Sequence, residues 1–173
     1  MRSVSDANLA AEARGWRWLI NLAVLLIGLD LLFEIGAPLF LPLSAGVYGG
    51  YWGLLLDQAP EIGRRLVEVL PAIFYLGALL AAGDLLTEAA GRRPFTARAV
   101  QSLGRIGSGL LWGAAAAALI TPNLLLWIAR EGGFDFRLET ETLVIAAIGA
   151  TMMVIGYLLR GAGRLQSELD EIV

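Results

Sequence analysis

The sequence predicts an all-α integral membrane protein, a bundle of four transmembrane helices with short cytoplasmic amphipathic helices. Four long apolar stretches run along the 173 residues, and each approaches the roughly 20 residues that a helix needs to cross a bilayer. The composition is 57% hydrophobic and 17% charged, whereas soluble domains are about 45–50% apolar and 25% charged. The mean hydropathy is +0.68. Residues 1–173 are therefore predicted to form one domain, with spans at about 16–37, 64–86, 106–129 and 142–160.

The first span is expected to begin at Trp16 and Trp18, because indole rings favour the headgroup level of a bilayer. It is expected to end near residue 36, because Pro38 and Pro42 follow and proline removes a helical hydrogen bond. Segment 39–56 is apolar but rich in glycine and proline. It is predicted to be irregular chain at the outer interface, since irregular backbone cannot face lipid deep in the bilayer.

The remaining helices carry capping and breaking residues. Asp57 can cap a second helix, which Pro71 is expected to kink. Thr96 can cap a short cytoplasmic helix that bends into the third span at 104–107. The Thr-Pro-Asn sequence at 121–123 interrupts the third span, and the fourth span continues into an amphipathic tail.

The arginines are unevenly divided between the two sides of the predicted membrane. All 13 basic residues are arginine. Nine lie in the two tails and the middle loop, and four lie in the other two loops: Arg2, Arg14, Arg17, Arg92, Arg93, Arg98, Arg105, Arg160 and Arg164 against Arg64, Arg65, Arg130 and Arg137. Because positive residues accumulate on the cytoplasmic side, both termini are predicted to be cytoplasmic.

The composition also excludes several kinds of chemistry. The chain has no cysteine and no histidine, which removes thiolate and imidazole catalysis. We predict no catalytic, cofactor-binding or metal-binding residues, no cofactor, and no enzymatic activity. The net charge is −3 and no basic stripe appears, so nucleic acid is not an expected partner.

Two acids, Asp30 and Glu34, lie four residues apart on one face of the first span. Acids inside a membrane are costly and usually face a cavity or a partner. One interpretation is an ion or proton site to which Asn123 also contributes. The favoured interpretation is a structural pair in the outer half of the span, which either snorkels outward or is bonded to Arg64, Arg65 or Asn123.

Small residues in the third span allow close helix contact. Gly109 and Gly113 form a Gly-x-x-x-Gly pattern, which supports tight packing between membrane helices. Packing within the chain is the favoured interpretation, and a homo-oligomer remains open.

Two segments carry recognisable motifs. Residues 91–107 read GRRPFTARAVQSLGRIG and residues 157–173 read YLLRGAGRLQSELDEIV. Both resemble a family of small bacterial four-helix membrane proteins called domain of unknown function 2975. The sequence departs from the family's pattern at Val100, where the family often has Asn, and at Gly104, where it often has Arg. The matching residues are Pro94, Phe95, Thr96, Leu103, Arg105, Ile106 and Gly107 in the first motif, and Arg160, Gly161 or Gly163, Leu165, Gln166, Glu168, Asp170 and Val173 in the second.

The resemblance implies a location in the bacterial inner membrane and no assigned activity. Members of the family often sit beside a small helix-turn-helix regulator, which implies a cytoplasmic regulator protein as a partner besides the lipid bilayer. Such an association does not establish a mechanism.

Both motifs lie on the predicted cytoplasmic side, and each has an apolar face at helical spacing. We expect them to pack into a cytoplasmic cap, with Phe95 against the tail and Arg105 near Glu168 or Asp170. Docking of a partner is the alternative. The candidate residues for the cap or for an interaction are Phe95, Val100, Leu103, Arg105, Ile106, Leu165, Leu169 and Asp170.

The function predicted from the sequence is therefore regulation or protein interaction by a non-enzymatic inner-membrane protein. The alternative is a small ion- or proton-coupled transporter or channel that uses Asp30, Glu34 and Asn123.

Overall fold

The computed structural model describes the backbone of residues 3–44, 51–90 and 97–170, and the side chains of residues 15–36, 58–88 and 98–162. Four helical segments are long and apolar enough to cross a membrane: Gly15–Gly36, Gln58–Glu88, Arg98–Ile128 and Thr140–Ala162. The prediction of an all-α four-helix membrane bundle is thus confirmed. The elements are α1 (Ser3–Ser44), α2 (Tyr51–Ala90), α3 (Ala97–Ala115), a π-helical turn (Ala116–Ile120), α4 (Thr121–Ile128) and α5 (Thr140–Asp170).

The predicted break after the first span is wrong. Helix α1 continues through Pro38 and Pro42 to Ser44, and α2 begins at Tyr51. Most of segment 39–56 is therefore helical rather than irregular. Membrane helices tolerate proline, because no water competes for the backbone and neighbouring groups satisfy the carbonyl that proline leaves free.

The short cytoplasmic helix predicted before the third span is continuous with that span. Helix α3 runs without interruption from Ala97 through Gly104 and Gly107, and α5 continues to Asp170. Both glycines lie close to α5, and no break in the helix marks the bend that was predicted at 104–107. The helical form predicted for the tail is confirmed as far as Asp170.

Proline in α2 is accommodated by a hydrogen bond from the next span. Pro71 lies inside the helix and has no N–H, so the carbonyl of Val67, four residues earlier, lacks its usual donor. The hydroxyl of Thr121 donates to that oxygen at 3.3 Å. The proline position thus links α2 to the start of α4.

The helices pack in chain order, as an open row. Helix α1 packs on α2, α2 on α3, and α3 on α5, whereas α1 and α5 share no extended contact among the described residues. Both end helices consequently expose most of their apolar side chains, including Phe33 on α1 and Tyr157 on α5, each 76% exposed. Lipid or another protein must cover these surfaces.

Glycine allows the close approach of α3 to both neighbours. A Cβ atom at Gly107 would lie 2.6 Å from the carbonyl oxygen of Gly149 on α5, and one at Gly109 would lie 3.0 Å from Cβ of Ala78 on α2. A Cβ atom at Gly113 would meet the ring of Tyr75, also on α2. The Gly-x-x-x-Gly pattern therefore serves packing within the chain, as the favoured interpretation expected.

Candidate functional site

The two ends of the bundle differ. We call the end where α1 and α3 begin and α2 and α5 finish the terminal end, and the end that carries loop 129–139 the loop end. At the terminal end, α1, α2 and α3 enclose a cleft of about 400 Å³. Every residue lining it is polar or charged, and we call this site the terminal cleft: Arg17, Asp84, Thr87, Glu88, Arg98, Gln101, Ser102 and Arg105.

Helical spacing brings these residues together. Positions 84, 87 and 88 lie on one face of the last turns of α2, and positions 98, 101, 102 and 105 on one face of the first turns of α3, because residues three and four apart are neighbours on a helix. Helix α1 contributes Arg17 to the cleft because α1 packs closely on α2 about one turn after Arg17. There the side chain of Ile20 lies 3.6 Å from where a Cβ atom at Gly83 would stand.

The charges of the terminal cleft are loosely paired. The Nη1 atom of Arg105 lies 3.5 Å from Oδ2 of Asp84, with both side chains more than 60% exposed. The Nη1 atom of Arg98 lies 4.0 Å from Oε1 of Glu88. Exposed pairs of this kind contribute at most about 1 kcal/mol. Arg17 has no ion pair within the described part of the chain. The arginines and Asp84 therefore present groups of both signs that can be redirected to a ligand at little cost.

The loop end holds a second cleft, of about 440 Å³, between α2 and α4. Both of its arginines are paired at short distance. Arg64 donates to Glu68 at 3.0 Å, and Arg137 donates to Asp135 at 2.7 Å. Pro122 and Glu131 also line this cleft, which is partly apolar. The arginines of the loop-end cleft are thus less available than those of the terminal cleft.

The predicted cap residues fall partly within the described structure. Val100 is buried at 7% exposure, and Leu103 and Ile106 are half-buried. Arg105 lies in the terminal cleft, where it pairs with Asp84. Phe95 and the side chains of the tail residues lie outside the described part, so the expected packing of Phe95 on Leu165 and Leu169, and the expected approach of Arg105 to Glu168 or Asp170, stay predictions.

Asp30 and Glu34 do not form the structural pairs that were favoured. Both side chains are exposed on α1, without an ion pair or hydrogen bond among the described residues. Arg64 pairs with Glu68, and Arg65 pairs with Glu61 at 3.2 Å. Both arginines reach the acid one turn away on their own helix, which is the nearer partner.

Asp30 lies within the first span. That span is Gly15–Gly36, and Asp30 stands past its middle, in the half toward the loop end. This is the half that the sequence predicted to be the outer one. At the other end of the span, Ile20 of α1 packs at Gly83 of α2.

The π-helical turn contains the backbone carbonyl to which the loop is hydrogen-bonded. Pro122 has no N–H, so the carbonyl of Ala118 lacks its helical donor. The backbone N–H of Arg137, in the loop before α5, donates to this oxygen at 3.1 Å. The irregular turn Ala116–Ile120 thus leaves no vacant acceptor at Ala118.

Asn123 completes this attachment. Its Nδ2 atom donates to the carbonyl of Leu119 at 2.6 Å and to that of Asp135 at 2.7 Å. The backbone N–H of Asp135 donates to Oδ1 of Asn123 at 3.2 Å. The amide is therefore occupied in holding the loop to α4. These hydrogen bonds tie the loop to α4, and we call this arrangement the brace. Asn123 is therefore not an available ion ligand.

Sequence reasoning did not single out most of the terminal cleft. Only Arg105 was proposed as a site residue, and Arg17, Asp84, Glu88 and Arg98 were not. A usable signal was present, because the polar and charged residues on both sides of segment 91–96 recur at spacings of three or four. The contribution of Arg17 depends on helix packing and had no local signal.

Comparison with known proteins gives one match. Residues 64–173, more than half of the chain, match the profile of a family described as "Protein of unknown function (DUF2975)". The matched region contains every terminal-cleft residue except Arg17. No curated protein and no solved structure matches the chain.

Proposed function

We propose that this chain, which belongs to the family of proteins of unknown function DUF2975, is a non-enzymatic protein of the bacterial inner membrane that binds a cytoplasmic regulator protein. One observation carries the proposal. The terminal cleft gathers exposed groups of both charge signs where three helices meet. This is the end to which most of the arginines belong, and the positive-inside rule favours a cytoplasmic location for it.

The chemistry of the cleft suits a protein surface. Its three arginines and Asp84 can each find a complementary charge on a partner. Complementary charges of both signs fix the orientation of a partner and reject wrong ones, and arginine is enriched at protein interfaces. The Arg105–Asp84 pair is exposed and long, so exchanging it for contacts with a partner loses little stabilisation.

Transport is the competing function, and the described geometry gives it less support. The side-chain amide of Asn123 is taken up by the loop. Asp30 and Glu34 lie on the exposed surface of the end helix α1. A transport site is normally formed between helices, near the midplane. These positions favour an interaction role.

Binding measurements with charge-altered variants test the proposal. The full chain in nanodiscs is titrated with a purified helix-turn-helix regulator, the class of partner that the family resemblance implies. Arg105→Glu is expected to weaken binding at least about tenfold, which corresponds to about 1.4 kcal/mol. Arg137→Glu, a charge reversal at the loop end, is the matched control and should leave binding unchanged.

A double variant separates surface from stability. Asp84→Arg combined with Arg105→Glu keeps an ion pair between α2 and α3 but inverts its direction. We expect it to bind as weakly as Arg105→Glu, because the partner meets reversed charges. Full recovery of binding in the double variant would mean that the pair only supports the fold. Absence of binding by the unaltered chain would contradict the proposal itself.

A further inference from the structure

The most unusual surface outside the terminal cleft is the face of α1 that bears Asp30 and Glu34. Both carboxylates are exposed and unpaired in the part of the chain that the structure describes. Asp30 lies inside the Gly15–Gly36 span, past its middle. A charge at this depth in contact with lipid is expensive, and such residues normally face a partner.

The position of α1 in the row leaves this face open. Among the described residues the helix packs extensively only on α2, and none of its span is buried. Large apolar side chains beside the two acids are also uncovered, among them Leu29 at 60% and Phe33 at 76% exposure. An apolar helix surface that carries two carboxylates is complementary in charge to an apolar helix that carries one cationic residue.

We propose that the Asp30–Glu34 face of α1 binds, inside the bilayer, a transmembrane helix of another protein that carries an arginine or lysine near its midpoint. The two acids lie one helical turn apart on the same side, so a guanidinium group can reach both. Arginine suits such a site because its planar group offers several donors at once, and charge-assisted bonds of this kind are short and strong.

A second copy of this chain is the less suitable occupant. The chain has no lysine and no histidine, and the arginines within the described spans lie toward the ends. A second copy would therefore bring no cation to the level of Asp30, and a symmetric contact through α1 would place acid against acid, which is unfavourable. The arginines concerned are Arg17, Arg64, Arg65, Arg98, Arg105 and Arg160.

This interface is independent of the proposed cytoplasmic function. It uses α1 inside the membrane, whereas the terminal cleft lies at one end of the bundle and is formed mainly by α2 and α3. Loss of one interaction therefore does not entail loss of the other, and a variant of Asp30 should bind the cytoplasmic regulator normally.

Synthetic peptides in liposomes test the interface. The full chain carries a donor dye on Gly132→Cys, a usable label because the chain has no cysteine of its own and nothing lies within 4 Å of that glycine's missing side chain. Acceptor-labelled leucine-rich transmembrane peptides carry either one central arginine or leucine at that place. We expect at least about fivefold stronger association of the arginine peptide.

The dependence on α1 gives the decisive comparison. Asp30→Asn, which preserves shape, should reduce association of the arginine peptide to the level of the leucine peptide, and Glu34→Gln should reduce it in part. Asp84→Asn, an acid change outside the membrane centre, is the control and should have no effect.

Two results would overturn the inference. One is equal association of both peptides with the unaltered chain, or association of the arginine peptide that Asp30→Asn leaves unchanged. The other is energy transfer between differently labelled copies of the chain that Asp30→Asn abolishes, because the occupant of the face would then be a second copy.

Discussion

Gly107 is the position where a single methyl group should disturb the bundle most directly. In Gly107→Ala, the new Cβ atom would lie 2.6 Å from the carbonyl oxygen of Gly149 and 2.8 Å from the backbone nitrogen of Met153. Both obstructing atoms belong to the backbone of α5, so a change of rotamer cannot relieve the overlap. Helix α5 must move away from α3.

The expected cost follows from two opposing effects. Overpacking in a tight interface typically costs about 1–3 kcal/mol. Replacement of glycine by alanine inside a helix returns up to about 1 kcal/mol through helix propensity in water. We therefore expect Gly107→Ala to lower the free energy of unfolding by about 1–2 kcal/mol. Reversible unfolding in mixed detergent micelles measures this quantity.

Gly77→Ala is the matched control, since it makes the same chemical change in a neighbouring span. Nothing lies within 4 Å of the Cβ atom that it adds. It should be neutral or slightly stabilising. If Gly107→Ala proved as stable as Gly77→Ala, the close contact between α3 and α5 would not exist as described.

Three further variants test the brace at Asn123, the cytoplasmic cap and the role of Asp30. Asn123→Leu leaves the backbone N–H of Asp135 without its acceptor and should cost about 1–3 kcal/mol; unchanged hydrogen exchange in loop 129–139 would argue against the brace. Truncation after Arg164 should leave all four spans inserted while making the segment around Phe95 more sensitive to protease, and equal cleavage would count against the cytoplasmic cap. Asp30→Asn should not alter ion flux in proteoliposomes, and a flux that this change abolishes would restore the transport hypothesis.

The sequence predicted the membrane fold because a run of about 20 apolar residues can be recognised without knowing which helices are neighbours. The same reasoning failed at Pro38 and Pro42, where rules for water-exposed helices predicted an end that α1 does not have. The error ended α1 too early and made most of segment 39–56 irregular. A local rule about proline thus misplaced the end of a helix.

The candidate site was less predictable because it depends on which helices are neighbours. Asn123 was proposed as part of an ion site, yet its partners, Leu119 and Asp135, show a brace whose second half lies in a loop twelve residues away. Arg17 lines the same cleft as Asp84 only because α1 packs on α2. Neither relation has a periodic signal in the sequence, whereas the spacing of polar and charged residues within α2 and α3 does.

The side of the membrane that the terminal cleft faces decides whether a cytoplasmic regulator can bind there, because such a partner can reach the cleft only from inside the cell. The chain has no cysteine, so single introduced cysteines report without background. Gln101→Cys places a thiol in the terminal cleft and Gly132→Cys places one at the loop end, and both positions are exposed. Intact cells are treated with a membrane-impermeant maleimide. We expect Gly132→Cys to be labelled at once and Gln101→Cys to be labelled only after lysis. Labelling of Gln101→Cys in intact cells would contradict a cytoplasmic location of the terminal cleft.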